Sequence, residues 1–378
     1  MSIATARRVV TPTTVTQLLL GWGTYTLLWF LGDLGPLSTG PLVILLAALV
    51  GIIAGCAFGV VTQAEAIAKR LPDPYGTLVL TLSIVVIEVV LIAAVMLGPG
   101  QHPNIARDSV MAVSMIILNL VIGLALLIAG LRHTGPRFNP VGTTSYLTLL
   151  VVLLSIAFVV PGMIGTDGSY TTGQAALILT LTILLYAFFL VRQIGAQRTD
   201  FQEPQTTEHP AQSVGDTSPG VGRVVAHHRR ELTARSTLLI ALVIPIVLLS
   251  HVMAGLLDDA MARLGAPTAL AGIIIAVIVF LPETVTALRA AYRNELQRVS
   301  NLCHGAAVST VGLTIPVVLT IGLITSQDVI LAENPTNLAL LGITLVLTAV
   351  TALTPKVTAL HGAGHLAVFV LYILTVFI

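Results

Sequence analysis

The chain has 378 residues, of which 56% are hydrophobic and only 9% are charged. Soluble domains carry roughly a quarter charged residues, so this composition excludes a water-covered surface and indicates contact with lipid over most of the chain. The formal net charge is +1 and no basic tract is long enough to follow a phosphate backbone, which excludes a nucleic-acid partner.

Apolar runs long enough to cross the hydrocarbon core of a membrane recur along the whole chain. In lipid each run must be a helix, because a helix satisfies its own backbone hydrogen bonds. The sequence therefore predicts an all-α polytopic membrane protein with about eleven transmembrane helices. The predicted spans are 15–32, 41–62, 76–97, 109–131, 144–162, 173–193, 236–256, 269–291, 302–325, 336–354 and 361–378.

The positions of Lys and Arg predict the orientation of these spans. Sixteen of the eighteen basic residues fall on one side of the predicted membrane, and only Arg107 and Arg263 fall on the other. Basic residues collect on the cytoplasmic side of membrane proteins. We therefore expect a multi-pass protein of the inner membrane, with a cytoplasmic N-terminus and an extracytoplasmic C-terminus.

A single long polar stretch divides the chain. Residues 194–235 are rich in Pro, Gly, Ser, Thr and Gln, a composition typical of linkers. This predicted cytoplasmic linker separates residues 1–35, with the extra N-terminal helix, and a five-helix repeat over 36–193 from a second five-helix repeat over 236–378. Since five is an odd number, the second repeat must be inverted relative to the first. Inverted repeats are typical of secondary transporters, which bind their substrate near the middle of the membrane.

Two of the seventeen acidic residues, Glu88 and Glu283, lie well inside predicted spans. An ionised carboxylate in the bilayer is costly, so each glutamate must hold a proton or help to bind a cation. Because proton and cation exclude each other, the pair predicts cation/proton exchange, with the ion bound between the two. Calcium fits such an oxygen site, and sodium fits it with one retained proton. The alternative is a pair of protonated glutamates that make ordinary interhelical hydrogen bonds.

The segments around both glutamates resemble motifs of a known family. The first consists of residues 74–83 continued by Ile87-Glu88-Val89, and the second of Leu281-Pro282-Glu283 with residues 311–318; residues 362–367 add a third similarity. These segments resemble bacterial ChaA-type antiporters, which belong to the cation/proton exchanger branch of the calcium/cation antiporter superfamily. The resemblance implies an eleven-helix fold and exchange of sodium, calcium or potassium for protons.

The resemblance also implies a set of ion ligands. The two motif glutamates are joined by polar groups of the following helices: Asn119 matches an Asn of the first repeat, and Ser309 stands where plant and fungal relatives have Gln. Ser83 and Thr284, hydroxyl residues near the glutamates, are further candidates for the ion path.

One departure from the superfamily bears on the choice of ion. Many members have Gly-Asn three or four residues before each glutamate, whereas this chain has Ile84-Val85 and Val279-Phe280. Fewer side-chain oxygens are therefore on offer, which favours sodium with calcium close behind.

His361 and His365 are four residues apart on the last span and share one face of that helix. They could form a proton relay or pH sensor, half of a metal site, or ordinary packing contacts. The sequence leaves these three options open.

The function predicted from the sequence is secondary active cation/proton antiport by alternating access, with export of sodium and/or calcium. The alternative is a cation channel or uncoupled ion pathway that uses the same carboxylates, and a third option is an intramembrane enzyme with a carboxylate dyad. The predicted repeats favour the antiporter. We expect no cofactor, and we expect cations, protons and lipid as partners.

Overall fold

The computed structural model describes residues 9–32, 37–71, 75–97, 103–204, 221–265, 267 and 269–377. This part of the chain forms eleven long helices, and its only β contacts are isolated bridges in the 166–169 and 330 region. The prediction of an all-α protein is confirmed. The helices are α1 Pro12–Leu31, α2 Thr39–Ala68, α3 Tyr75–Met96, α4 Ile105–Arg132, α5 Pro140–Ile164, α6 Thr172–Ile194, α7 Val221–Leu264, α8 Ala269–Tyr292, α9 Leu296–Thr325, α10 Pro335–Leu353 and α11 Ala359–Val376.

Each predicted span lies on one of these helices. Counted over the described residues only, eight of them are long and apolar enough to cross a membrane: α2, α4, α5, α6, α7, α9, α10 and α11. The protein is therefore a polytopic membrane protein. The total of eleven crossings and the inverted relation of the two repeats stay predictions.

Several helices begin where the sequence provides a cap followed by proline. Thr11, Asn139 and Asn334 precede Pro residues, and the side-chain oxygen of each accepts a hydrogen bond from a backbone N–H of the first turn. Proline is well suited to the first helical position, because its missing N–H would have no partner there. These caps fix the starts of α1, α5 and α10.

The chain divides into two compact units. The first, residues 1–94 and 205–266, contains α1, α2, α7 and most of α3, and in it α1, α2 and α7 pack against one another.

One end of this four-helix unit carries a polar cluster. The Glu231 carboxylate bridges Arg70 and Arg235, both at 3.1 Å, and Arg235 donates to Gln63 Oε1 at 3.1 Å.

Helix α7 contains Pro245, which lacks the N–H that would normally bond to the carbonyl oxygen of Ala241. The indole Nε1–H of Trp22 on α1 donates to that oxygen at 2.9 Å. Trp22 therefore supplies the donor that the proline removes, and it ties α1 to α7.

The second unit, residues 95–204 and 267–378, contains α4 to α6 and α8 to α11. Helices α4 and α9 lie at its centre: they are the most buried of the candidate membrane spans. Two helices of this unit include a π-helical turn, at Ile116–Val121 in α4 and at Ser155–Val159 in α5. Such turns break the regular hydrogen-bond ladder and are frequent at functional sites.

The predicted linker is structured at both of its ends. Helix α7 begins at Val221, and residues 198–201 form a short 3₁₀ turn after α6. Phe201 is buried there against the rings of Tyr146 and Phe189, at centroid distances of 5.1 and 5.9 Å. The first part of the linker is thus packed onto the seven-helix unit.

The Trp22–Ala241 bond gives a test of how proline is accommodated. We expect Trp22→Phe to lower the free energy of unfolding by about 1 kcal/mol, the usual net value of one hydrogen bond. In a Pro245→Ala background, the substituted residue supplies its own backbone N–H to the Ala241 oxygen, so the loss of the indole should cost close to nothing. The measurement is reversible unfolding in detergent micelles.

Trp29→Phe is the matched control, because Trp29 is also on α1 and is 71% exposed, against 37% for Trp22. Equal losses from Trp22→Phe in both backgrounds would contradict the proposed compensation.

Candidate functional site

Glu283 lies in the interior of α8, directly after Pro282, and is 6% exposed. The proline removes the hydrogen-bond donor for the carbonyl of Ile278, four residues earlier. Thr284 donates its hydroxyl proton to the Phe280 carbonyl at 2.7 Å, so its oxygen keeps lone pairs. The sequence Pro-Glu-Thr thus gathers one carboxylate and two uncharged oxygens within a short stretch of helix.

A small cavity lies beside this stretch. It is lined by residues of three helices: Ile117 and Val121 of α4, Phe280, Glu283 and Thr284 of α8, and Leu302, Cys303 and Ala306 of α9. The other lining residues are mostly apolar, and Glu283 is the acidic residue among them. In such surroundings a carboxylate interacts strongly with any proton or cation that enters.

Ile117 and Val121, in the π-helical turn 116–121, form the α4 wall of the cavity. Asn119 lies in the same turn and is fully buried, but its amide faces α10 and α11 and is not part of the cavity lining. Its Nδ2 donates to Thr344 Oγ1 on α10 at 2.8 Å, and its Oδ1 lies 3.2 Å from Nδ1 of His365 on α11. The structure therefore brings two predicted site residues, Asn119 and His365, into direct contact.

Ser309 lies on α9, where it accepts a hydrogen bond from the Tyr186 hydroxyl of α6 at 2.9 Å. Both residues are buried. The contact shows that the side chain of Ser309, a predicted site residue, faces α6. Its partner Tyr186 was not indicated by any motif.

Glu88 and Ser83 lie on α3, in the stretch that belongs to the four-helix unit. Glu88 is 2% exposed, and Ser83 donates to the Val79 carbonyl of its own helix at 2.7 Å. Both predicted acidic residues are thus buried within helices, each in its own unit.

The two histidines of the last helix have different surroundings. His361 is in the first turn of α11, where its Nδ1 lies 3.0 Å from the Thr358 backbone nitrogen and completes the helix cap. His365, one turn later, is buried against α4.

The first half of α9 carries a polar column whose contacts the sequence did not indicate. Ser300 lies 3.0 Å from the hydroxyl of Thr143 and 2.9 Å from Nδ1 of His304. Nearby, Asn301 donates to the Phe201 carbonyl at 2.7 Å, and the Arg298 backbone N–H donates to the Glu203 carboxylate at 2.8 Å. The packed part of the linker thus covers this end of the column.

A third buried carboxylate, Glu333, lies in the loop before α10. Arg107 approaches it to 3.1 Å and the Asn337 amide donates to it. Burial raises the pKa of the Glu333 carboxyl, and the Asn337 hydrogen bond and the Arg107 charge oppose this. In the sequence Glu333 falls between the predicted spans 302–325 and 336–354, and no motif marked it as buried.

Membrane-length helices that bury the Glu283 carboxyl group beside a small cavity place the chain in the class of ion transporters of the membrane. Comparison with known families makes this assignment specific. The sequence pattern of the sodium/calcium exchanger protein family matches residues 41–195 and 236–378, and the chain belongs to that family. The predicted membership of the cation antiporters is confirmed.

Individual relatives agree with this assignment. The chain is 34% identical over 335 residues to y4hA of Sinorhizobium fredii, whose name describes a candidate ionic transporter, with 88% of each chain covered. It is 33% identical over 345 residues to the sodium-potassium/proton antiporter ChaA of Escherichia coli, with 91% of this chain and 92% of ChaA covered.

The fold is shared with a solved structure. YfkE, a Ca²⁺/H⁺ antiporter, is 17% identical and superposes with a TM-score of 0.68, covering 97% of this chain and 98% of YfkE. The two bacterial relatives y4hA and ChaA are named as a transporter and an antiporter, which supports the prediction of a transporter rather than an enzyme.

Proposed function

We propose that the protein is a secondary active cation/proton antiporter of the inner membrane that exports sodium and/or calcium, with potassium as a third candidate, in exchange for protons. The observation that carries this proposal is Glu283, a buried carboxylate at a small cavity between α4, α8 and α9. Membership of an exchanger family and the names of the bacterial relatives support it.

The exchange follows from charge. An ionised carboxylate inside an apolar bundle is costly unless a positive charge compensates it. A proton on the carboxylate or a bound cation provides that compensation, and each leaves when the other arrives. A site that alternates between the two membrane faces therefore moves cations one way and protons the other.

Glu88 is the second proposed ligand. It is buried like Glu283 and occupies the equivalent span of the other predicted repeat. That the family match falls in two stretches on either side of the predicted linker supports the view that the halves are related. In the proposed cycle both carboxylates share the ion in the occupied state and hold protons on the return step.

Uncharged oxygens complete the proposed site. Asn119, Thr284 and Ser309 each present an oxygen from a buried or partly buried position, and the Ile278 carbonyl, whose backbone donor Pro282 removes, adds another. Such a set carries few charges, which suits a monovalent ion better than calcium. We therefore place sodium first.

The orientation completes the proposal. The N-terminus and the linker face the cytoplasm, where basic residues collect, and the C-terminus faces outward.

A reporter fused after Ile378 tests this orientation. We expect it to be active on the extracytoplasmic side, because the chain crosses the membrane an odd number of times in this scheme. A reporter after Glu203 serves as the cytoplasmic control. Activity of the C-terminal fusion in the cytoplasm alone would show that the number of crossings is wrong.

The choice of ion is tested in proteoliposomes that contain the purified full-length protein and a pH-sensitive dye. Addition of sodium, potassium or calcium to vesicles with a proton gradient should move protons, with saturation and with sodium as the most effective ion. Calcium exchange without any response to sodium would reverse the order. Flux that needs no counter-gradient would instead indicate a channel.

The two glutamates give the sharpest test. Glutamine keeps the shape and a hydrogen-bonding head but can neither release a proton nor supply negative charge. Glu88→Gln and Glu283→Gln should each abolish coupled exchange, while the protein still inserts because a costly charge is removed. Aspartate at either position keeps the charge one methylene further back and should leave weak, measurable exchange.

Glu65→Gln is the matched control, because Glu65 pairs with Lys69 one turn later on α2. It should exchange ions at close to the normal rate. A Gln variant at position 88 or 283 with near-normal proton-coupled flux would refute the mechanism.

A further inference from the structure

A chain of hydrogen bonds crosses three helices of the seven-helix unit. Thr344 Oγ1 donates to the Leu340 carbonyl at 2.8 Å, and Asn119 Nδ2 donates to Thr344 Oγ1 at 2.8 Å. His365 Nδ1 lies 3.2 Å from Asn119 Oδ1. The chain links α10, α4 and α11 through one buried amide.

The Thr344 hydroxyl, at the α10 end of this series of hydrogen bonds, determines which group donates and which accepts in each of them. The Thr344 hydroxyl has one proton, and with that proton on the Leu340 carbonyl its oxygen can only accept from Asn119. The amide nitrogen must then face Thr344, and its second proton points to Met115 Sδ at 3.2 Å. The amide oxygen is left facing His365.

The same logic fixes the state of the imidazole. An amide oxygen can only accept, so Nδ1 of His365 carries the proton that faces Asn119. The Leu118 backbone is a second hydrogen-bond partner of the ring. In the neutral ring, Nε2 is then the unprotonated nitrogen, and within the described residues it has no hydrogen-bond partner. A second proton there would place a positive charge beside the proposed cation path, in a residue that is 1% exposed.

Glycines hold His365 in this position. A Cβ added to Gly362 of α11 would lie 2.5 Å from the backbone nitrogen of Leu127, and one added to Gly123 of α4 would lie 2.9 Å from Leu366 Cγ. The two backbones are thus as close as helices can come, within about one turn of both Asn119 and His365. Neither side chain can withdraw from the contact without separating the helices.

We propose that His365 is a positioning residue for cation binding: through Nδ1–H it holds the Asn119 amide with its oxygen, rather than its NH₂ group, directed toward the ion path. This inference rests on the proposed function, in which Asn119 supplies a ligand oxygen. One lone pair of that oxygen accepts from His365, and the other remains for a cation. Without that donor the orientation of the amide rests on the Thr344 contact alone, and an amide turned by about 180° presents NH₂, which repels a cation.

The role requires a donor at one ring position and not a change of protonation, which separates it from a proton relay. His365→Asn replaces Nδ1–H with an amide N–H that does not titrate. His365→Leu removes the donor and keeps the bulk. In proteoliposomes we expect the Leu variant to raise the half-saturating sodium concentration about tenfold, the equivalent of one hydrogen bond, with a smaller change in maximal rate.

We expect the Asn variant to restore sodium affinity to within about threefold and to keep the pH profile of the unaltered protein. His361→Asn, one turn earlier on the same helix, is the control and should leave sodium affinity unchanged. An Asn variant that fails like Leu and also shifts the pH profile would overturn the inference in favour of a titrating relay. Normal sodium affinity in the Leu variant would overturn it outright.

Thr344, at the other end of this series of hydrogen bonds, provides a second test if the His365→Leu variant folds poorly. Thr344→Val removes the acceptor that orients the amide, whereas Thr344→Ser keeps it, so only Val should weaken sodium affinity. Combined with His365→Asn, Thr344→Val should again weaken it, while equal affinities for Val and Ser would overturn the inference.

Sodium-dependent thermal stabilisation of the purified protein measures binding without transport. If the unaltered protein shows stabilisation but no exchange, the proposed function fails while the ranking of the variants still tests the inference. If exchange is normal and the variants bind sodium equally well, only the inference fails.

Discussion

Polar groups inside an apolar bundle must find their partners within the chain, because lipid offers none. This constraint ties each polar helix of the seven-helix unit to particular neighbours: Asn119 to α10 and α11, Ser309 to α6, and Ser300 to α5. As a result α4 and α9, which carry most of these groups, occupy its centre. The same constraint gives a buried carboxylate its function, since only a proton or a cation can compensate its charge.

Much of the fold could be predicted because it depends on lengths of apolar sequence. The predicted spans coincide with helices since a run of about twenty apolar residues has one stable form in lipid. Glu283 stood out because an acidic residue in such a run is rare. Its cavity could not be foreseen, because it is formed largely by apolar residues such as Phe280 and Leu302 that look like any other core residue.

The partners of the site were the least predictable part. Thr344 and Tyr186 are ordinary residues of apolar helices, and they meet Asn119 and Ser309 from 225 and 123 positions away in the chain. Periodicity places a residue on a face of its helix but does not say which helix that face meets. The π-helical turn at 116–121 could not be predicted either, since its sequence is uniformly apolar except for Asn119.

The pair of histidines shows how much position within a helix matters. Both lie on one face of α11, as their spacing requires. His361 falls in the first turn, where free backbone N–H groups attract a polar side chain, and it is used to cap the helix. His365 falls one turn deeper, where the backbone is already satisfied, so its imidazole is left for a neighbouring helix.

Phe201 has a bearing on the order in which the chain is assembled. Its ring packs against α5 and α6, which are synthesised before it, but its carbonyl is bound by Asn301, 100 residues later. The ring contacts of Phe201 can therefore form as soon as residue 201 has been synthesised, whereas the hydrogen bond to its carbonyl can form only after α9 has been synthesised. A nascent chain that stalls between the two halves would leave the Phe201 carbonyl unpaired, which makes residues 198–204 a marker of whether the second half has joined the first.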